Sequence, residues 1–207
     1  EPTILVLDEL VNRNEMNLTN AEHDELFDLL GITETDIIEN SVIAAGSVRD
    51  MLEVLNEFRT IDIEENYYFV VQYFADYILS HPEKIKTLGQ VKSELSELKS
   101  EGYIITLVTN DSRLPAEAVL KVAGIGELFD FVGTTDEFPS KPATDSLYAI
   151  QSKFGVSFDE MIYIGDSTVD EDFAKNTAGF IAVTSDTSNP EVLSSAIFKV
   201  KSIDELS

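Results

Sequence analysis

Five short segments carry residues whose chemistry could converge on one ligand: Asp8-Glu9, Thr109-Asn110-Asp111, Thr134-Thr135-Asp136-Glu137, Ser140-Lys141-Pro142 and Gly165-Asp166-Ser167-Thr168-Val169-Asp170. Carboxylates, a hydroxyl-amide pair and one lysine are the donor types for a hard divalent cation that shares an anionic oxygen ligand. Carboxylates and carbonyls suit Mg²⁺, which holds phosphate oxygens, while a lysine, hydroxyls and backbone N–H groups hold the others. Taken singly, each segment has a plainer use. Thr-Asn after a strand makes a turn, Gly-Asp-Ser caps a helix, and a lone lysine is solvated.

What gives the segments weight is the kind of element that precedes them. Residues 3–7, Thr-Ile-Leu-Val-Leu, form an apolar β-branched run ending at Asp8-Glu9, which reads as a buried strand. From about Thr19 to His81 the period turns helical. Thr19 or Asn20 can cap the helix that Gly31 stops, Ser47 can cap the next, and residues 64–79 place Tyr67, Val70, Val71, Phe74 and Ile78 on helical spacings. After His81-Pro82, helices expected near 88–100, 115–124, 144–154, 169–178 and 190–195 alternate with strands at 103–109, 129–133, 161–165, 180–184 and 198–200. That alternation predicts an α/β fold with a parallel sheet covered on both faces. The simplest assembly joins residues 1–12 and 84–207 in one α/β core and leaves 13–83 as an inserted helical cap. Sites in open parallel sheets lie beyond the carboxyl ends of the strands, where these segments fall.

The chain of 207 residues holds 39 acids against 14 bases, a formal charge of -25, with no cysteine and two histidines. Residues 1–100 hold 21 acids and 7 bases and the remainder 18 and 7, so the charge is spread rather than gathered in a tail. Such a surface repels phosphate backbones and anionic lipid, which argues against nucleic-acid or membrane-surface binding. Disulfides, thiolate nucleophiles and Cys-ligated zinc are excluded, and no apolar stretch is long enough to span a bilayer. The expectation is a soluble, cytoplasmic protein, a monomer or a homodimer.

From the segment that runs into Thr109-Asn110-Asp111, through Gly-Ile-Gly-Glu-Leu-Phe-Asp-Phe-Val-Gly-Thr-Thr-Asp-Glu, to Ser140-Lys141-Pro142 and Gly165-Asp166-Ser167-Thr168-Val169-Asp170, the chain resembles the haloacid dehalogenase superfamily, in its phosphoglycolate-phosphatase-like branch. The resemblance covers nearly the whole length. It implies a three-layer, Rossmann-like core with a helical cap, and Mg²⁺-dependent hydrolysis of a small phosphorylated metabolite. By that likeness Thr109 and Asn110 bind the phosphoryl group, Lys141 offsets its charge, and Asp166 and Asp170 ligate Mg²⁺. Gly46-Ser47-Val48-Arg49 is similar to the cap loop that reads the substrate, and Arg49 could pair bidentately with an anion.

The family's first motif, Asp-x-Asp-x-Thr, supplies a nucleophile and a general acid-base, and this chain has Leu-Val-Leu-Asp-Glu-Leu-Val where it would fall. Aligned without a gap, Val6 takes the nucleophile's place and Asp8 the acid-base's; in the other phase Asp8 is the nucleophile. Asp8 is therefore the expected catalytic and metal-binding carboxylate, beside one missing acid. Acid-base help is worth on the order of 10²–10⁴ in rate, so weak or altered catalysis is expected. The alternatives are a catalytically inactive binding or regulatory protein and, in the second phase, a 2-haloacid dehalogenase-like hydrolase.

Overall fold

The structure, a computed structural model, describes residues 2–33, 36–184 and 193–206. Its first half is a block of helices: α1 (Pro2–Arg13), α2 (Asn20–Leu30), the single turn α3 (Val42–Ala45), α4 (Val48–Phe58) and α5 (Ile63–Ser80). The expected caps form. Thr19 and Ser47 each close a capping box, with Glu22 and Asp50, and Gly31 takes the left-handed conformation at φ 81° that ends α2.

The segment expected to be the first strand is instead α1. Its apolar run is long enough for either element, and what decides is the other apolar surface within reach. Val6, Leu7 and Leu10 are fully buried while Ile4, Leu5, Asp8 and Glu9 are exposed, a helical stripe. The stripe packs into one apolar cluster with Leu26, Leu30, Leu52, Leu55, Val70 and Val71. Pro2 starts the helix, where its missing N–H costs nothing. At the other end Asn14 and Asn66 exchange side-chain hydrogen bonds of 2.9 and 3.0 Å, and Arg13 pairs with Glu65 at 2.7 Å, which ties α1 to α5. Residues 2–12 therefore belong to the helical block and not to the α/β core.

The second half alternates as expected: α6 (Val91–Ser100), β1 (Thr106–Val108), α7 (Arg113–Ala123), β2 (Phe131–Gly133), α8 (Asp145–Phe154), β3 (Ile162–Gly165), α9 (Thr168–Ala174), β4 (Gly179–Val183) and β5 (Phe198–Val200). The short helix expected near 190–195 falls largely outside the described residues. Among the described residues the named strands all pair in parallel, but they form two sheets. One is β1-β2 and the other β3-β4-β5, with no backbone pairing between β1 and β3. The Tyr163 hydroxyl, 3.2 Å from the carbonyl of Val108, spans the space between them.

The two halves meet where α5 packs along α7 and at several hydrogen bonds. Tyr67 on α5 bonds Ser112 at 3.0 Å and also Asp136; Asn110 donates to the Ala45 carbonyl at 2.9 Å; and the Thr168 amide and hydroxyl donate to Asn40 at 2.8 and 2.9 Å. Among the described residues no helix is long and apolar enough to cross a membrane.

The helical placement of residues 2–13 separates two substitutions one residue apart. Leu7→Ala, emptying a fully buried site, is expected to cost about 2–5 kcal/mol by denaturant unfolding. Asp8→Ala on the exposed face is expected to change stability by no more than about 0.5 kcal/mol.

Candidate functional site

The loops after β1, β2 and β3 bring most of the expected residues together. Lys141, in the connection after β2, directs its ammonium at Asp170 Oδ1 at 2.6 Å, with side chains only 12% and 6% exposed. Its backbone N–H donates to Asn110 Oδ1 at 2.7 Å. Asn110 follows β1, so one amide side chain holds the lysine's backbone on one side and the Ala45 carbonyl of the helical block on the other. Thr109 leads the same loop. Its N–H is paired with the Gly133 carbonyl across the sheet, and its hydroxyl bonds the Asp111 carboxylate at 3.0 Å.

Asp170 is the most heavily bonded acid of the group. It stands in the first turn of α9, where Oδ2 accepts from the N–H groups of Asp166 and Ser167 at 3.1 Å each and from the Ser167 hydroxyl at 2.8 Å. A Cβ at position 165 would sit 2.5 Å from the Asp170 Cγ, so only glycine lets this carboxyl fold back against the strand end. Burial alone would raise the Asp170 pKa, but the Lys141 charge and these bonds hold it below the ordinary carboxylate range. For Asp166 the balance goes the other way. Burial, and then the neighbouring charge of Asp170, push its pKa up. An acid whose charge is opposed by burial and by a neighbouring carboxylate is one that a cation relieves, and Mg²⁺ is commonly held by one or two carboxylates plus water and substrate oxygens. The donor set fits such an ion as a partial site, since no group of three acid or histidine side chains gathers among the described residues.

Two expected members are elsewhere. Asp8 lies on the exposed face of α1 and not at a strand end, and Val6 is buried in the helical core. Neither has the strand-end position that the nucleophile reading required. Arg49 grips Glu64 with two bonds of 2.7 and 3.2 Å and stacks over the Tyr67 ring at 4.4 Å. It therefore borders the junction of the two halves, with Tyr67 carrying on to Asp136.

Sequence reading passed over Tyr163, whose hydroxyl is 3.0 Å from the Lys141 ammonium, 3.1 Å from Asp170 Oδ1 and 3.2 Å from the Val108 carbonyl. Burial, reinforced by Asp170, drives its pKa far upward, so it stays a neutral phenol. The signal was present: a tyrosine two residues before a strand-end glycine shares its face of the sheet, and a buried phenol needs a polar partner. Asn40 and Ala45 were also missed, because a backbone carbonyl and a loop amide have no motif.

The opposite shifts of the two acids give opposite stability effects in Mg²⁺-free buffer. Asp170, depressed, contributes stability that is present above its ordinary value and is lost as pH falls through the depressed one. Asp166, raised, favours the fold when protonated, and that contribution is lost as pH rises through the raised value. At pH 7 Asp170→Asn is expected to lower stability by about 3–5 kcal/mol, since it leaves Lys141 buried without its anion. Asp166→Asn is expected to raise the melting temperature in the same scan.

The chain is similar to several known proteins. Phosphoglycolate phosphatase of Pasteurella multocida is 36% identical over 94 residues, which is 45% of this chain and 42% of that protein. The one of Mannheimia succiniciproducens is 30% identical over 130 residues, 62% of this chain and 55% of that protein. Pyrophosphatase PpaX of Bacillus velezensis is 34% identical over 97 residues, 46% of this chain and 45% of that protein. The chain thus spans about half the length of the curated relatives it matches. The fold is that of CbbY from Rhodobacter sphaeroides, solved in complex with phosphate, at TM-score 0.70 and 16% identity over 89% of this chain and 86% of that one. It is also that of a phosphatase from Thermococcus onnurineus, at TM-score 0.66 and 20% identity over 99% and 88%. The family model for haloacid dehalogenase-like hydrolases matches residues 4–183, and the chain belongs to that family.

Proposed function

We propose that this chain is a Mg²⁺-dependent, phosphatase-like hydrolase acting on a small phosphorylated metabolite, with weak or altered catalysis. The observation that carries the reading is the convergence of Asn110, Lys141, Asp170 and the Asp166 loop at the carboxyl ends of β1 and β3. Thr109 and Asn110 would hold phosphoryl oxygens, and the Lys141 ammonium would offset their charge while remaining anchored by Asp170. Asp166 and Asp170 are the residues that would hold Mg²⁺, which supplies charge neutralisation to the phosphoryl oxygens when bound. The relatives that act on phosphoglycolate or pyrophosphate support a small phosphorylated substrate. Arg49, at the junction of the two halves, would help choose it once released from Glu64.

A second reading has its own support. With Asp8 on the outer face of a helix, the described residues build an anion cradle without a carboxylate at the nucleophile's place. That supports binding without turnover, and it counts against the dehalogenase reading, which needed Asp8 to attack.

Calorimetric titration tests both. Inorganic phosphate is expected to bind in the presence of Mg²⁺, and Lys141→Ala to weaken it by roughly 10–100-fold, the loss of one charge-assisted bond of about 1.5–3 kcal/mol. Equal affinity in the variant refutes the cradle. A panel of small phosphate monoesters then separates the readings: product release abolished by Asp166→Ala marks a hydrolase, and binding with no release marks the cradle alone.

A further inference from the structure

We propose that Asn40, a side chain of the helical block, is a positioning residue for the loop of residues 166–170, a step that rests on the reading of Asp166 and Asp170 as the Mg²⁺ ligands. Its Oδ1 accepts from the Thr168 N–H at 2.8 Å and from the Thr168 hydroxyl at 2.9 Å. Thr168 is the first residue of α9 and lies midway along the chain between the two acids. Within that turn Ser167 and Asp170 cap one another. The Ser167 hydroxyl accepts from the Asp170 N–H at 3.1 Å, and Asp170 Oδ2 accepts from the Ser167 N–H at 3.1 Å. The first N–H groups of a helix have no partner inside it, and the one at Thr168 is taken by Asn40. Asn40 thus does for α9 what a capping side chain does, but from the other half of the fold.

Asn40 is itself held in a defined place. Its φ of 61° is left-handed, a conformation that asparagine tolerates better than most side chains. On one side of it the Ile38 N–H donates to the Gly31 carbonyl at 2.8 Å. On the other, the Ser41 hydroxyl caps α3 by accepting from the Ala44 N–H at 3.3 Å. A Cβ at position 31 would fall 2.1 Å from the Ser41 Cβ, so glycine there lets this loop lie against the end of α2. At the end of α3 the Ala45 carbonyl accepts from Asn110. Residues 40–45 therefore bond both the loop after β1 and the loop after β3, which carry Asn110 and Asp166.

The hydrogen bonds turn this anchor into a control on the acids. The Asp166 and Ser167 N–H groups both donate to Asp170 Oδ2, so the path of the loop and the orientation of the carboxylate form one arrangement. Releasing Thr168 loosens the turn that sets the two carboxylates relative to each other. Mg²⁺ demands near-ideal geometry from its ligands, and side chains that orient ligands without touching the metal typically change its affinity by about 10–100-fold when removed. Asparagine is neutral, so it acts here by placement and not by charge.

Calorimetric titration of the full 207-residue chain with Mg²⁺ tests this role, together with amide hydrogen exchange in Mg²⁺-free buffer. Asn40→Gly keeps the left-handed backbone and removes the side chain, and it is expected to weaken Mg²⁺ binding roughly tenfold. The same variant is expected to exchange faster at Asp166 and Ser167, with exchange in α5 unchanged as the sign of an intact fold. Asn40→Asp, which keeps an acceptor at the same reach, is expected to retain the slow exchange. In a Thr168→Val background Asn40→Gly is expected to weaken binding less, because the two side chains share a bond. Unchanged Mg²⁺ affinity in Asn40→Gly, faster exchange confined to Thr168, fast exchange in Asn40→Asp, or additive effects with Thr168→Val overturns the proposal while the metal site stands. Mg²⁺ binding that survives Asp166→Ala, or that is absent from the wild type, overturns the metal reading and the role of Asn40 with it.

Discussion

The buried pair of Lys141 and Asp170 is the interaction on which the site depends. Neither charge could remain where it is without the other, because an isolated ion at that depth would neutralise itself instead of staying charged. The lysine arrives from the loop after β2, the aspartate from the first turn of α9, and Tyr163 reaches both from β3. One cluster of polar atoms therefore sets the relative position of three loops. Asn110 extends it to the loop after β1 and, through the Ala45 carbonyl, to the helical block.

The cluster also divides labour between two acids that look alike in sequence. Asp170 is neutralised by Lys141 and saturated with donors, so it acts chiefly as the lysine's anchor. Asp166 sits beside it with a raised pKa and gains most from a cation. An overall charge of -25 does not provide the attraction for an anionic ligand and opposes it at long range. Local cations must therefore do so, and Lys141 is the one that the strand ends hold in place.

The helical block has its own apolar interior, with Val6, Leu7, Leu10, Leu26, Leu30, Leu52, Leu55 and Val70 fully buried. It meets the α/β part through close packing of α5 against α7 and through hydrogen bonds from Tyr67, Asn110 and Thr168. Arg49 and Tyr67 lie on that junction, and Asn40 and Ala45 meet the loops after β3 and β1 from the helical side.

The sequence by itself determined the alternation of strands and helices after residue 100 and the caps at Thr19, Gly31 and Ser47, and it pointed to Asn110, Lys141, Asp166 and Asp170, which the fold brings into contact. Those features depend on local periods, on capping chemistry and on motifs whose order survives in one dimension. Only the tertiary structure decided the fate of residues 2–13. A short apolar run satisfies strand and helix equally well until something covers it, and what covers this one is the apolar face of four other helices. That choice moved Asp8 from a strand end to a solvent-facing surface. It also gave Tyr163 its place, because a phenol's partner is a matter of which strands stand opposite, and no spacing along the chain records that distance.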